Sequence, residues 1–192
     1  FTPGPHRMSD EVLRVLIRKM LALDLPVTQF AWQGGEPMLM GLEFFQRAVA
    51  YQMEFGRGGR RVSNALQTNG LLIDEAWAEF LAKYKFLLGV SLDGPADVHN
   101  RHRGEGSFQK VLAGTKVLER HGVEYNILAT VNRTTQSQGR RIYQWFREQG
   151  FRYLQFIPIV ETDEAGRPLP FAVTPEGYGE FMCEVFDAWR AE

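Results

Sequence analysis

The 192-residue sequence has a nearly balanced charge, with 22 Lys and Arg residues against 23 Asp and Glu residues. This length accommodates one domain with a substantial core, and the absence of a basic excess argues against a nucleic-acid partner. A membrane-spanning helix requires about 20 consecutive apolar residues, and no apolar run in the sequence approaches that length. No membrane partner is therefore expected either.

Taken in chain order, the sequence alternates predicted helices with short apolar strands. A helix that begins after Ser9 precedes the first strand, and every strand, including the first, is followed by another helix. A polar loop is expected from His99 to Arg103. The predicted strands are Val27–Trp32, Val62–Leu66, Phe86–Leu92, Glu124–Val131 and Tyr153–Val160.

This alternation predicts an α/β fold with parallel strands joined by right-handed crossovers. A complete eight-stranded parallel barrel takes about 250 residues, so the chain is expected to form a partial (β/α) barrel. In such sheets, ligands bind at the carboxyl ends of the strands. The segments expected at that edge are polar or rich in Gly and Pro: Gln33–Pro37, Gln67–Gly70, Ser91–Pro95, Thr130–Arg133 and Pro158–Glu161.

The turn after the first strand is the most distinctive of these segments. Gly34 and Gly35 let a backbone approach a ligand without an intervening Cβ, and Pro37 suits the start of a helix. Glu36 is the only charge in the turn. A carboxylate in this place suits a positively charged amine, although the same four residues also occur in ordinary turns between a strand and a helix.

Cys183 is the chain's one cysteine, and no disulfide can form within the chain. This favours a reducing compartment such as the cytoplasm. Because Cys183 lies in a predicted helix, we expect a buried thiol. The sequence begins at Phe1 and continues into a loop-like Thr2–Pro5, which favours an internal fragment of a longer protein.

Five sequence blocks, in this order, resemble the radical S-adenosylmethionine (radical SAM) proteins of the anaerobic sulfatase-maturating type. The resemblance extends from about Ser9 to Trp189 and implies a partial barrel of six βα units. Residues 1–192 would then be a single core domain, with the first strand and the C-terminal SPASM region outside it. The blocks are WQGGEP, LQTNGLLIDE, GVSLDGP followed by HNRHR, YNILATVN and FRYLQFIPIV.

The resemblance implies S-adenosylmethionine as a cofactor and assigns residues to it. Gly34, Gly35 and Glu36 would receive the cofactor's amine. Ser91 and Arg103 would bind its polar groups, with Arg103 on the carboxylate. Each such charge-assisted bond is worth roughly 1.5 to 3 kcal/mol.

Further assignments follow from the same resemblance. The backbone of Val160 would meet the adenine, and Gln33, Gln67 and Asn69 would touch cofactor or substrate. The family also holds a 4Fe-4S cluster with three cysteines spaced C-x3-C-x2-C, which this sequence lacks. Cys183 cannot replace them, so the cluster ligands are expected upstream of this chain.

The implied activity is oxidation of a cysteine or serine in a sulfatase peptide to formylglycine, with flavodoxin or ferredoxin as reductant. One alternative is a lyase or hydrolase that uses a divalent metal held by Glu36, Asp93 and Glu161 at three strand ends. A zinc site at His99 and His102 lacks a third ligand at useful spacing. The other alternative is a catalytically inactive fragment that binds the cofactor weakly or not at all.

Overall fold

The computed structural model describes residues 7–56, 58–59 and 61–192. Within these ranges, five strands alternate with helices, and a short 3-10 helix, Pro37–Met40, follows the first strand. The strands are β1 Val27–Trp32, β2 Arg61–Thr68, β3 Leu87–Ser91, β4 Tyr125–Val131 and β5 Leu154–Pro158. The helices are α1 Asp10–Ala22, α2 Leu42–Phe55, α3 Glu75–Lys83, α4 Ala96–Arg103, α5 Ser107–Arg120, α6 Gly139–Glu148 and α7 Pro175–Arg190.

All five strands are parallel and lie side by side in chain order, β1-β2-β3-β4-β5. They form a half-barrel, which confirms the prediction of a partial parallel (β/α) barrel. Since every strand runs in the same direction, their carboxyl ends lie along one edge of the sheet. The polar segments predicted at the strand ends therefore share that edge.

The two faces of the sheet differ in burial. Buried Phe30, Leu66 and Leu88 belong to the core that packs against the helices. The alternate residues face the other way, and among them Gln67 is exposed. Gly89 lies beside Gln67 in the register, and a Cβ on Gly89 would come within 2.7 Å of Leu128 Cδ1. The face of the sheet that points away from the helices is therefore closely packed around Gly89.

The helix starts follow the local sequence. Ser9, Asp74 and Thr174 each cap a helix by accepting a hydrogen bond from the backbone N–H three residues later. Such caps satisfy N–H groups that the first turn leaves unpaired. The predicted start after Ser9 is confirmed.

The segment from His99 to Arg103 is helical, so the predicted polar loop is wrong. Pro95 precedes α4, and its carbonyl accepts hydrogen bonds from the N–H groups of Val98 and His99. Both side chains are buried, so packing favours a helix in a segment that is polar by composition. The predicted strand bounds also shift, and β5 ends at Pro158, which pairs with the last residue of β4.

Cys183 is exposed on α7, which corrects the expected buried thiol. The buried residues of this helix include Phe181, Val185 and Ala188, which follow helical spacing. Cys183 lies outside that stripe. Among the described residues, no helix has both the length and the apolar character needed to cross a membrane.

Candidate functional site at the carboxyl edge of the sheet

The turn after β1 depends on the backbone freedom of two glycines. Gly34 and Gly35 have φ angles of 94° and 54°, a region that side-chain-bearing residues rarely adopt. A Cβ at either position would meet no atom within 4 Å. The glycines are therefore required by conformation, and the space beside them stays open to a ligand.

The Glu36 carboxylate is held by three neutral donors. Its Oε1 accepts from the Met38 N–H at 3.0 Å and from the Thr68 hydroxyl at 2.9 Å. Its Oε2 accepts from the Asn69 N–H at 2.7 Å. Two of these donors come from the end of β2, so the neighbouring strand fixes the direction of the acid. Within the described chain, no cation neutralises Glu36.

Thr68 is the residue of this cluster that sequence reasoning missed. Its side chain is 3% exposed, and its oxygen also accepts from the Gly70 N–H at 3.0 Å. Asn69 uses its side-chain oxygen on the Leu71 N–H, a local turn that holds the side chain beside the strand end. The only sequence signal for Thr68 is its place in the QTNG block, because threonine is common in strands.

Arg103 forms a two-point ion pair with Asp93. Arg103 Nε lies 2.6 Å from Asp93 Oδ2, and Nη2 lies 3.0 Å from Oδ1. Asp93 Oδ1 also accepts from the backbone N–H of Thr130 at 2.9 Å and from its hydroxyl at 2.8 Å. The Asp93 side chain is 2% exposed, against 26% for Arg103. The pair thus joins the end of β3, the end of α4 and the end of β4.

Opposing effects act on the pKa of Asp93. Burial would raise it, but the hydrogen bond and charge of Arg103, together with the Thr130 donors, outweigh burial and leave the pKa below its ordinary value. Asp93 is therefore ionised at neutral pH. Sequence reasoning named Asp93 only as a metal ligand and missed its pairing with Arg103.

His99 lies behind this ion pair and is completely buried. Its Nδ1 accepts from the Asp93 N–H at 3.3 Å, and its ring packs against Phe108. Burial lowers the pKa of His99, with Arg103 acting in the same direction and Asp93 opposing it. His99 is therefore neutral at neutral pH, and its buried Nε2 has no hydrogen-bond partner in the described structure.

The remaining predicted site residues lie along the same edge. Ser91 is half-buried at the end of β3, and Gln33 is exposed in the turn after β1. Val160 is 71% exposed, two residues beyond β5. In the described part of the chain, side-chain hydrogen bonds join Glu36 to the end of β2 and join Arg103 through Asp93 to Thr130 of β4, but none of these bonds joins the two groups to each other.

The divalent-metal alternative does not fit these contacts. No group of three or more His, Cys, Asp or Glu side chains among the described residues could hold a metal ion. Asp93 already binds Arg103 and Thr130 through both of its oxygens. Glu161, the third proposed ligand, is exposed in the loop after β5.

The parallel half-barrel, with Glu36 and the Asp93–Arg103 pair at its carboxyl edge, places the chain in the α/β class, in which ligands bind at that edge. The family model described as "Radical SAM superfamily" matches residues 1–152. That match covers more than half of the sequence. The chain therefore belongs to the radical SAM superfamily.

Similar curated proteins include anaerobic sulfatase-maturating enzymes of two types. A cysteine-type enzyme of Clostridium perfringens (strain 13 / Type A) is 39% identical over 95% of this chain and 50% of its own length. A serine-type enzyme of Bacteroides thetaiotaomicron is 37% identical over 97% of this chain and 50% of its own length. The chain thus spans about half the length of these relatives.

Solved structures similar to this chain include those of anSMEcpe. Native anSMEcpe with bound AdoMet matches with a TM-score of 0.89 and 36% identity, over 99% of this chain and 54% of that protein. Native anSMEcpe with bound AdoMet and the Cp18Cys peptide matches with a TM-score of 0.87 and 37% identity, over 96% of this chain and 52% of that protein. A spore photoproduct lyase mutant, at 12% identity and a TM-score of 0.59, shares the fold alone.

Proposed function

We propose that this chain is the S-adenosylmethionine-binding core of a radical SAM oxidoreductase. The enzyme would oxidise a cysteine or serine of a sulfatase peptide to formylglycine. The curated sulfatase-maturating relatives are about twice as long as the chain, and we therefore propose the complete activity for a longer protein that contains it. Residues 1–192 would act as one core domain within it.

The observation that carries the proposal is the environment of Glu36. A carboxylate that is bound by neutral donors alone keeps its negative charge available to a ligand. The cofactor carries a positively charged amine, and a charge-assisted hydrogen bond to it is worth roughly 1.5 to 3 kcal/mol. The open backbone of Gly34 and Gly35 lies beside this carboxylate.

The other end of the cofactor's amino-acid tail is a carboxylate, which suits Arg103. Ser91 would bind a further polar group, and the backbone of Val160 would meet the adenine. Gln33, Gln67 and Asn69 would contact cofactor or peptide. When bound, S-adenosylmethionine supplies the radical that removes hydrogen from the peptide, while these residues bind and orient it.

The residues of this chain do not fit a 4Fe-4S cluster. Such a cluster needs several thiolates, whereas Cys183 is the chain's one cysteine and lies exposed on α7. Its ligands are therefore not among these 192 residues. The reductant, a flavodoxin or ferredoxin in this proposal, would act through that cluster in the longer protein, in the reducing cytoplasm.

Calorimetric titration of the full-length protein with S-adenosylmethionine tests the proposal. Glu36→Gln keeps the shape of the side chain but removes its charge, so the affinity should fall by about 10- to 100-fold. Glu79→Gln is the matched control, because Glu79 is exposed on α3. Equal affinity of the Glu36→Gln variant and the unmodified protein would overturn the proposal.

The substrate is tested separately by mass spectrometry. Incubation of the full-length enzyme with a cysteine- or serine-containing sulfatase peptide should convert that residue to formylglycine. Binding of cofactor without conversion of either peptide would retain the cofactor site and overturn the proposed substrate.

A further inference from the structure

Asp93 and Arg103 meet along one particular edge of the guanidinium group. Asp93 engages Nε and Nη2, the side-on edge. A guanidinium carries five N–H donors in a rigid plane. The end-on edge, formed by Nη1 and the second hydrogen of Nη2, therefore remains for another acceptor, and two parallel N–H groups there match a carboxylate.

Asp93 is itself fixed more firmly than Arg103. It is nearly completely buried, while a quarter of the Arg103 side chain is exposed. Thr130 donates to Asp93 Oδ1 from its backbone and from its hydroxyl, and the Asp93 N–H is bound by buried His99. The acid therefore has a set position, and the arginine takes its direction from it.

We propose that Asp93 is a positioning residue, which holds the side-on edge of Arg103 so that the end-on edge is presented to the carboxylate of S-adenosylmethionine. This inference rests on the proposed function. Thr130 supports the same arrangement from β4. Asp93 itself does not touch the cofactor, so its effect on binding is expected only in the recognition of the carboxylate.

The test compares two ligands on the full-length protein by calorimetry: S-adenosylmethionine and its decarboxylated form, which lacks the carboxylate. The unmodified protein should prefer S-adenosylmethionine by about 10- to 100-fold. In Asp93→Asn, the amide places an N–H donor against the Arg103 donors. The preference should then fall below about threefold, close to that of Arg103→Ala.

Thr130→Val keeps the backbone bond to Asp93 but removes the hydroxyl bond, so it should lower the preference partially. This variant also serves if Asp93→Asn fails to fold. Its control is Thr115→Val, which removes a partly buried hydrogen bond within α5, from the Thr115 hydroxyl to the Leu112 carbonyl. Thr115→Val should leave the preference unchanged.

The outcomes separate the positioning role from a merely structural role. A structural role would weaken both ligands equally and leave their ratio unchanged, and an unchanged ratio in Asp93→Asn and Thr130→Val overturns the inference. If the unmodified protein prefers S-adenosylmethionine but these variants keep that preference, the proposed function survives without it. If the unmodified protein binds neither ligand, the proposed function fails and the inference fails with it.

Discussion

The two charged groups at the carboxyl edge of the sheet are held in different ways. Glu36 accepts hydrogen bonds from the neutral groups of Met38, Thr68 and Asn69. Arg103, in contrast, is paired with an ionised carboxylate, Asp93. The β1–β2 side of the edge therefore keeps a net negative charge, whereas the β3–β4 pair is neutral as a unit.

This difference separates two modes of recognition. A net charge attracts a ligand of opposite sign over distance, and it is weakened by salt. A neutral ion pair exerts little such attraction, but the remaining N–H donors of Arg103 still require an acceptor in one direction. Glu36 thus provides charge, and Arg103 provides a directed set of donors. Loss of Glu36 should therefore lower the overall affinity for the cofactor, whereas loss of the Arg103 geometry should lower the preference for a ligand that has a carboxylate.

Removal of Asp93 should break the ion pair on the β3–β4 side of the comparison and give the largest loss of stability. Asp93→Ala leaves the Thr130 donors and Arg103 without their partner. Because Arg103 is partly exposed and can turn towards water, we expect the low end of the range for a broken buried pair, a loss of about 3 kcal/mol. Urea unfolding measures this free energy.

Asp97→Ala is the control for that measurement. Asp97 forms an ion pair with Arg141 on the surface, with an exposed side chain, and exposed pairs contribute about 0 to 1 kcal/mol. An equal loss in the two variants would show that the burial of Asp93 has no special energetic role.

The β1–β2 side of the comparison also contains a buried amide cluster, formed by side chains of β1, α2 and β2. Gln52 and Asn64 exchange two hydrogen bonds of 2.9 Å, and Trp32 Nε1 donates to Asn64 at 3.0 Å. Gln52→Leu leaves the buried Asn64 Nδ2 group without its acceptor, while Asn64 Oδ1 keeps the bond from Trp32, and should cost about 2 kcal/mol in urea unfolding. Gln46→Leu, on the exposed side of the same helix, should cost little, and a similar loss there would contradict the prediction.

Thr68→Val sharpens the comparison at Glu36 itself. The variant keeps the shape of the side chain but removes one of the three donors to the carboxylate, at a cost of about 1 kcal/mol in stability. Since Glu36 is then less well fixed, affinity for S-adenosylmethionine should fall by about fivefold. In a Glu36→Gln background, Thr68→Val should not reduce affinity further, and additive effects in calorimetry would refute the coupling.

The sequence predicted the fold well because its signals are local and repeated. Apolar strands and capped helices alternate, and only parallel strands accommodate that order. The turn Gln33–Pro37 was also recognisable, because two glycines and one charge follow a strand. The helix Ala96–Arg103 was not, because its buried residues are few and its remaining side chains are polar.

The partners of the site residues were beyond local reasoning. Thr68 and Thr130 matter because a neighbouring strand brings their hydroxyl groups to Glu36 and Asp93, 32 and 37 positions away in sequence. Such contacts depend on the register between strands, and a slip of two residues would keep the same alternation of faces while separating these partners. Asp93 was visible as an acid at a strand end, but its pairing with Arg103 required the helical turn that places them together.

The smallest expected effect concerns pH, and it distinguishes Asp93 from the His99 behind it. Both groups have lowered pKa values in the folded protein. The unfolded chain therefore takes up each proton first as pH falls, and stability decreases. For His99 this loss begins below its unfolded pKa of about 6.5, and for Asp93 below about 3.9.

Between about pH 7 and pH 5, only His99 of the two contributes to this slope. His99→Phe keeps a buried ring against Phe108 but removes the titrating group, so the melting temperature should depend less steeply on pH in this interval. The variant should also be less stable at every pH, because the Asp93 N–H loses its acceptor. His102→Asn, which replaces an exposed histidine of the same helix, is the control. A slope that stays unchanged in His99→Phe would mean that His99 is not the group whose protonation opposes folding.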